Sequence, residues 1–110
     1  MAMKTEIAAR RPQRRPTHPG AILREEVLPA LRIKIAPAAR EMKISRGHLT
    51  EVLKERKPLS ANVALRIERL TGTSAELLLR MQAAYDLWQE GVARASELNT
   101  IKRVGGAAVV

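Results

Sequence analysis

One stretch near the middle of the chain constrains the fold more than any other: Ala36-Pro37-Ala38-Ala39-Arg40-Glu41-Met42-Lys43-Ile44-Ser45-Arg46-Gly47-His48-Leu49-Thr50-Glu51-Val52-Leu53. Ile35, Ala39 and Met42 recur at helical spacing, and Leu49, Val52 and Leu53 make a second apolar face. Only Lys43, Ile44 and Ser45 separate the two. Helices this short, joined this closely, must cross at a large angle and lean on one another. Close crossing needs a small residue in the first, and Ala39 provides it. The turn needs a residue that accepts the left-handed conformation, then a buried aliphatic, then a cap. Lys43, Ile44 and Ser45 stand in those places. Glycine is the usual occupant of the first, and a side chain there costs about 1 kcal/mol.

That geometry is a helix-turn-helix, whose second helix enters the DNA major groove. We place the helix-turn-helix at residues 36–55, its reading helix capped by Ser45 and running to about Glu55. With Leu49, Val52 and Leu53 inward, about 100° per residue turns Gly47, Thr50, Glu51 and Lys54 outward. Arg46 and His48 flank that face in the first turn, after the cap Ser45. Arg46 suits guanine O6 and N7, Glu51 suits cytosine N4, and the Thr50 methyl suits thymine. Gly47 permits close backbone approach. Arg40, Lys43, Arg56 and Lys57 are placed for phosphates. The DNA-contacting set is therefore Arg40, Lys43, Ser45, Arg46, Gly47, His48, Thr50, Glu51, Lys54, Arg56 and Lys57.

Charge points to the same class of partner. The 110 residues carry a formal net charge of +9, which in so small a protein suggests an anion such as nucleic acid. Lys4, Arg10, Arg11, Arg14 and Arg15 precede residue 16 against the single acid Glu6. Arg40, Lys43, Arg46, Lys54, Arg56 and Lys57 form a second cluster against Glu41, Glu51 and Glu55. Phe is absent, and Tyr85 and Trp88 are the only aromatics. The core must come from Leu, Ile, Val, Ala and Met, which suits packed helices. Without cysteine, disulfides, Cys-ligated zinc and thiol catalysis are excluded. No apolar run approaches the ~20 residues of a membrane span, and the basic N-terminus lacks the apolar stretch of a secretory signal. A cytoplasmic protein is expected.

Pro, Gly and capping residues divide the rest. Residues 1–16, basic and carrying Pro12 and Pro16, read as a flexible arm. Thr17-His18-Pro19-Gly20 opens a helix with Leu23, Val27 and Leu28 on its apolar side, ended or kinked by Pro29. Pro37 marks the second start. Ser60 caps a fourth helix bearing Val63, Ile67 and Leu70, and Gly72 stops it. Thr73-Ser74-Ala75-Glu76 matches a capping box for the fifth. Its seam is Leu77, Met81, Tyr85, Trp88, Val92 and Ala95; Leu77, Leu78 and Met81 complete the monomer core, while Tyr85, Trp88 and Val92 suit a second subunit. The dimerisation set is Leu77, Met81, Tyr85, Trp88 and Val92. Gly91 is a possible early stop for that helix. The expected fold is all-α, with five helices over residues 17–97, dimeric, and a flexible tail at 98–110.

Three motifs together resemble the HigA-type antitoxins, members of the lambda-repressor-like helix-turn-helix proteins. They are Thr17-His18-Pro19-Gly20, the helix-turn-helix, and the run from Gly72 to Trp88 with Leu79-Arg80-Met81-Gln82 and Tyr85-Asp86-Leu87. The resemblance covers about residues 17–90. It implies a five-helix dimer that represses its own operon at a palindrome. It also implies a cognate mRNA-cleaving ribonuclease toxin, similar to RelE, which the antitoxin neutralises. The departures are Lys43 in the turn and Ala36 where a hydroxyl cap is usual. A stand-alone regulator without a toxin is the alternative. His18 and His48 lie in different elements, and Ser45, Ser60 and Ser74 sit where capping explains them. Accordingly no catalysis, metal, cofactor or small-molecule substrate is expected.

Overall fold

The first helix begins where a histidine can hold its open end. In the computed structural model, which describes residues 14–106, the Nδ1 of His18 accepts the Gly20 N–H at 2.9 Å. Pro19 follows, and its missing N–H leaves nothing to satisfy. Helix α1 then runs over residues 19–31 in three continuous stretches. Pro19–Ile22 is α-helical, Leu23–Val27 is wound as a π-turn, and Leu28–Leu31 is α-helical again. Pro29 was expected to end or kink this helix. Instead, the wider winding, in which the Leu28 N–H donates to the Leu23 carbonyl, accommodates a ring that would collide with the carbonyl four residues back.

Five further helices follow among the described residues: α2 Ile35–Met42, α3 Arg46–Leu53, α4 Ala61–Thr71, α5 Ala75–Ala93 and α6 Ala95–Leu98. The all-helical expectation holds for these residues, while the count of five becomes six. Helix α2 starts two residues before Pro37, which sits within the first turn where N–H groups lack partners anyway. Helix α5 runs through Gly91. Its cap is Ser74, whose hydroxyl accepts the Leu77 N–H at 3.1 Å. The expected Thr73–Glu76 box does not form; Glu68 of α4 accepts the Ala75 N–H at 3.0 Å and Thr73 pairs with Thr71.

Helices α1, α2 and α3 end alike. In each, the residue after the helix or one beyond it adopts the left-handed conformation: Arg32 at φ 54°, Lys43 at φ 58° and Glu55 at φ 64°. The next residue reaches back five positions, as Ile33 N–H to Leu28 O, Ile44 N–H to Ala39 O and Arg56 N–H to Glu51 O. This is the Schellman arrangement, made here with charged residues where glycine is the unstrained choice. Only α4 uses glycine, Gly72 at φ 81°.

The core joins Leu23 and Leu28 of α1 to Met42, Leu49, Val52, Leu53, Leu59, Val63, Ile67 and Leu78, with Ala38, Ala39, Ala64 and Ala75 where helices come close. On α5 the inward stripe is Leu78, Gln82 and Tyr85. It is shifted by one residue from the Leu77–Met81 seam, leaving Leu77 51% exposed. The reason is Gln82, a polar residue facing inward to accept the Leu59 N–H at 2.8 Å and to donate to Asp86. Tyr85 lies within the monomer core, edge-on to His18 at 4.8 Å between ring centres. Further along the chain Leu87, Val92, Leu98 and Ile101 are exposed, and the described residues together measure 52 × 23 × 22 Å. No helix of the described residues is long and apolar enough to cross a membrane. The expected arm lies outside the described residues up to position 13, as does the tail from 107.

Candidate nucleic-acid interface

Helix α3 is held from three sides. Leu49, Val52 and Leu53 anchor it to the core. At its N-terminus the Ser45 hydroxyl accepts the His48 N–H at 3.0 Å. Along its back, α1 approaches so closely that a Cβ built on Gly20 would lie 2.1 Å from the Val52 carbonyl oxygen. This contact explains the His18-Pro19-Gly20 motif. The histidine caps, the proline starts the helix, and the glycine lets α1 lie against the backbone of α3. Burial holds the His18 imidazole below its ordinary pKa, with the charges of Glu55 and Asp86 opposing in part. Its Nδ1 must be unprotonated to accept from Gly20.

The C-terminal end of α3 has a clamp that the sequence did not announce. Arg24 of α1 donates to the Leu53 carbonyl at 2.6 Å and to the Glu55 carboxylate at 3.2 Å. Arg15 also pairs with Glu55, and its guanidinium lies over the Tyr85 ring, 5.1 Å from the centroid. The two arginines thus fix the residue that turns the chain out of α3.

Most of the expected DNA contacts emerge on the free side. Arg40, Lys43, Ser45, Arg46, Gly47, Lys54, Arg56 and Lys57 are exposed, whereas His48, Thr50 and Glu51 are half-buried. A Cβ on Gly47 would meet nothing within 4 Å, as an outward position requires. Among the described residues Arg40, Lys43, Arg46, Lys54 and Lys57 enter no ion pair. Their charges are therefore available to an anion without first breaking a bridge. Glu51 and Arg56 are different: they pair with each other at 3.5 Å, so a base contact by one and a phosphate contact by the other compete with that bridge. The His48 Nε2 is buried without a hydrogen-bond partner among the described residues; its ring does not project with Arg46.

Arg32 and Lys34, absent from the sequence-derived set, belong beside it. They line a groove of about 680 Å³ with Leu28, Ile33, Ile35 and Arg46. The connection between α1 and α2 thereby brings two more cations next to the start of α3. Their sequence signal was weak: neither lies in the helix-turn-helix, and single charges in a short connection look like ordinary solvated residues.

No protein-family model matches the chain. By sequence it is 39% identical over 70 residues to virulence-associated protein I of Dichelobacter nodosus, across 64% of this chain and 65% of that protein. The match thus spans slightly less than two thirds of that relative's length. It is 33% identical over 76 residues to YbaQ, an uncharacterized helix-turn-helix-type transcriptional regulator of Escherichia coli strain K12, across 69% of this chain and 67% of that one. Among solved structures, the antitoxin GraA superposes with a TM-score of 0.77 at 33% identity, covering 83% of this chain and 99% of GraA. The Pseudomonas aeruginosa antitoxin HigA, solved with the higBA promoter, superposes with a TM-score of 0.74 at 32% identity, covering 81% and 97%. The chain belongs to the HigA-type antitoxin family.

GraA has also been solved in complex with its operator, and that structure superposes with a TM-score of 0.76 at 32% identity. HigA-type antitoxins bound to DNA therefore share the fold that positions α3 here. YbaQ is a transcriptional regulator by name, and GraA and HigA are antitoxins solved with operator or promoter DNA.

Proposed function

We propose that this protein is an autorepressing antitoxin that binds palindromic operator DNA as a homodimer and neutralises a RelE-like, mRNA-cleaving ribonuclease toxin. The observation that carries the DNA reading is the free face of α3. Exposed, unbridged cations at both ends flank an open Gly47, on a helix fixed by core, cap and clamp. Arg46 is the base-reading residue, with Thr50 as its neighbour on the face; Arg40, Lys43, Lys54 and Lys57 hold phosphates, joined by Arg32 and Lys34. The protein itself performs no catalysis.

Dimerisation rests on the C-terminal half of the molecule. Trp88 is half-buried, Val92 is 63% exposed and Leu87 is 59% exposed, so α5 offers apolar surface beyond the monomer core. Leu77 and Met81 contribute at its start, while Tyr85 serves the monomer. A two-fold arrangement sets two recognition helices about 34 Å apart, one turn of DNA.

Coexpression with the product of a neighbouring small reading frame tests the toxin part. Rescue of growth and copurification of a ribonuclease are the expected results. A protein that binds its upstream DNA but rescues no neighbour is a stand-alone regulator. That alternative fits the name of YbaQ as well as it fits the fold.

A further inference from the structure

We propose that Glu55 is a specificity-determining positioning residue: held by Arg15 and Arg24, its carboxylate fixes the direction in which Arg56 and Lys57 leave α3, and with it the seating of Arg46 on the bases. This role rests on the operator-binding reading and gives discrimination to residues outside the DNA-contacting set. The backbone has no need of a glutamate there. Glu55 turns the chain at φ 64°, a conformation that glycine adopts without strain and a side chain does not. What the side chain supplies is a carboxylate only 19% exposed and shared by two guanidinium groups. The Nη1 of Arg24 donates both to the Leu53 carbonyl at 2.6 Å and to Glu55 Oε2 at 3.2 Å. Leu53 closes α3, where carbonyls lack helical partners. One arginine therefore holds the end of the helix and the residue that leads out of it. Arg15 takes the other oxygen, Oε1, while its guanidinium lies over the Tyr85 ring, which ties Glu55 to α5.

The clamp bears on register as well as on folding. Arg56 and Lys57 follow Glu55 directly, are exposed, and donate their backbone N–H groups to the Glu51 carbonyl at 2.9 and 3.3 Å. Their side chains leave α3 in a direction set at Glu55, while Arg46 stands at the opposite end of the same eight-residue helix. Phosphate contacts at one end and a base contact at the other must fit one duplex together, since phosphates position the protein and bases are read from that position. A rigid exit at Glu55 fixes the spacing between the two. A loose exit lets Arg56 and Lys57 find phosphates in several seatings, in most of which Arg46 misses its base.

The experiment measures the affinity of the full-length chain, Glu55→Gln and Glu55→Gly for operator and random duplexes, with thermal melts to confirm folding. Glycine suits φ 64°, so Glu55→Gly separates the carboxylate from the turn even where Glu55→Gln melts early. Both variants should bind random duplex at least as tightly as the unaltered protein, because an acid is lost beside a polyanion. Operator preference should fall about fivefold or more, the cost of one misplaced base contact. In an Arg46→Ala background the same changes should cost no further preference, because Arg46 is the residue the clamp seats. Unchanged preference in a folded variant overturns the proposal. So do equal losses on both duplexes, which would make Glu55 merely structural, and equal gains on both, which would make it a shield over Arg15 and Arg24. An undiminished loss in the Arg46→Ala background overturns the link to base reading. If the unaltered protein does not prefer operator over random duplex, the operator reading itself fails, an outcome distinct from all of these.

Discussion

Gly20→Ala is the substitution for which the structure makes the sharpest demand. The added Cβ would sit 2.1 Å from the Val52 carbonyl oxygen, 0.9 Å inside the 3.0 Å limit that real Cβ contacts respect, and 3.1 Å from His18 Nδ1. A carbonyl within α3 has no rotamer to yield, so α1 and α3 must separate by about an ångström. Overpacking a tight core costs about 1–3 kcal/mol, and so deep an overlap with backbone takes the upper part of that range, about 2–3 kcal/mol, while alanine's better helix propensity offsets about 1 kcal/mol. The expected net loss is about 1–2 kcal/mol, which lowers the melting temperature of a domain this size by roughly 4–16 °C. Gly47→Ala is the internal control, because its Cβ meets open space. It should raise stability by about 0.5–1 kcal/mol. Paired urea titrations measure both. Gly20→Ala protein as stable as the unaltered one, or two alanines shifting stability in the same direction, would contradict the close approach of α1 to the Val52 carbonyl. Binding gives a second readout, since a displacement of that size breaks base hydrogen bonds that tolerate only about half an ångström. Folded Gly20→Ala protein should therefore lose operator preference. Gly47→Ala should weaken operator binding despite its added stability if the DNA backbone approaches there.

Four other outcomes are expected. Arg46→Ala should cost about 1–3 kcal/mol of operator binding and relax specificity at one base pair; equal losses on operator and random DNA would remove its base-reading role. Lys57→Ala should weaken all sequences alike and flatten the salt dependence by about one unit of slope. Lys43→Gly relieves a left-handed lysine and should stabilise the fold by about 0.5–1 kcal/mol, read by denaturant titration; a loss would show that the lysine side chain supports the turn. Burial of His18 depresses its folded-state pKa, so the unfolded chain binds the proton more readily. Its contribution to stability is complete above the unfolded value near 6.5 and declines as pH falls through the lower folded value. Unfolding titrations from pH 7 to 5 should show this loss, and His18→Asn, which keeps a capping oxygen, should diminish it.

The helix-turn-helix was legible because its signals are local. A small crossing residue, a three-residue turn and a serine cap depend on neighbours in sequence, and each appears where expected. On α5 the core position of Leu78 was legible, whereas that of Gln82 was not, because apolar periodicity cannot register an inward amide that satisfies the Leu59 N–H. Tyr85 was assigned to a second subunit for a related reason. Its partners, His18 and Arg15, lie about seventy positions away, and no spacing rule links them. The clamp at Glu55 was hidden similarly, since Arg24 and Glu55 are 31 residues apart. Pro29 showed the opposite limit: the local rule was sound, and a π-turn supplied a way around it.

Nuclease footprinting of the DNA upstream of this protein's own gene tests whether α3 reads an operator. The expected result is a symmetric protected region with two half-sites about one helical turn apart. Protection should be lost with Arg46→Ala at concentrations where Leu65→Ala, an exposed change on α4, leaves it intact. Protection indifferent to sequence, or unaffected by Arg46→Ala, would mean that α3 does not read the operator.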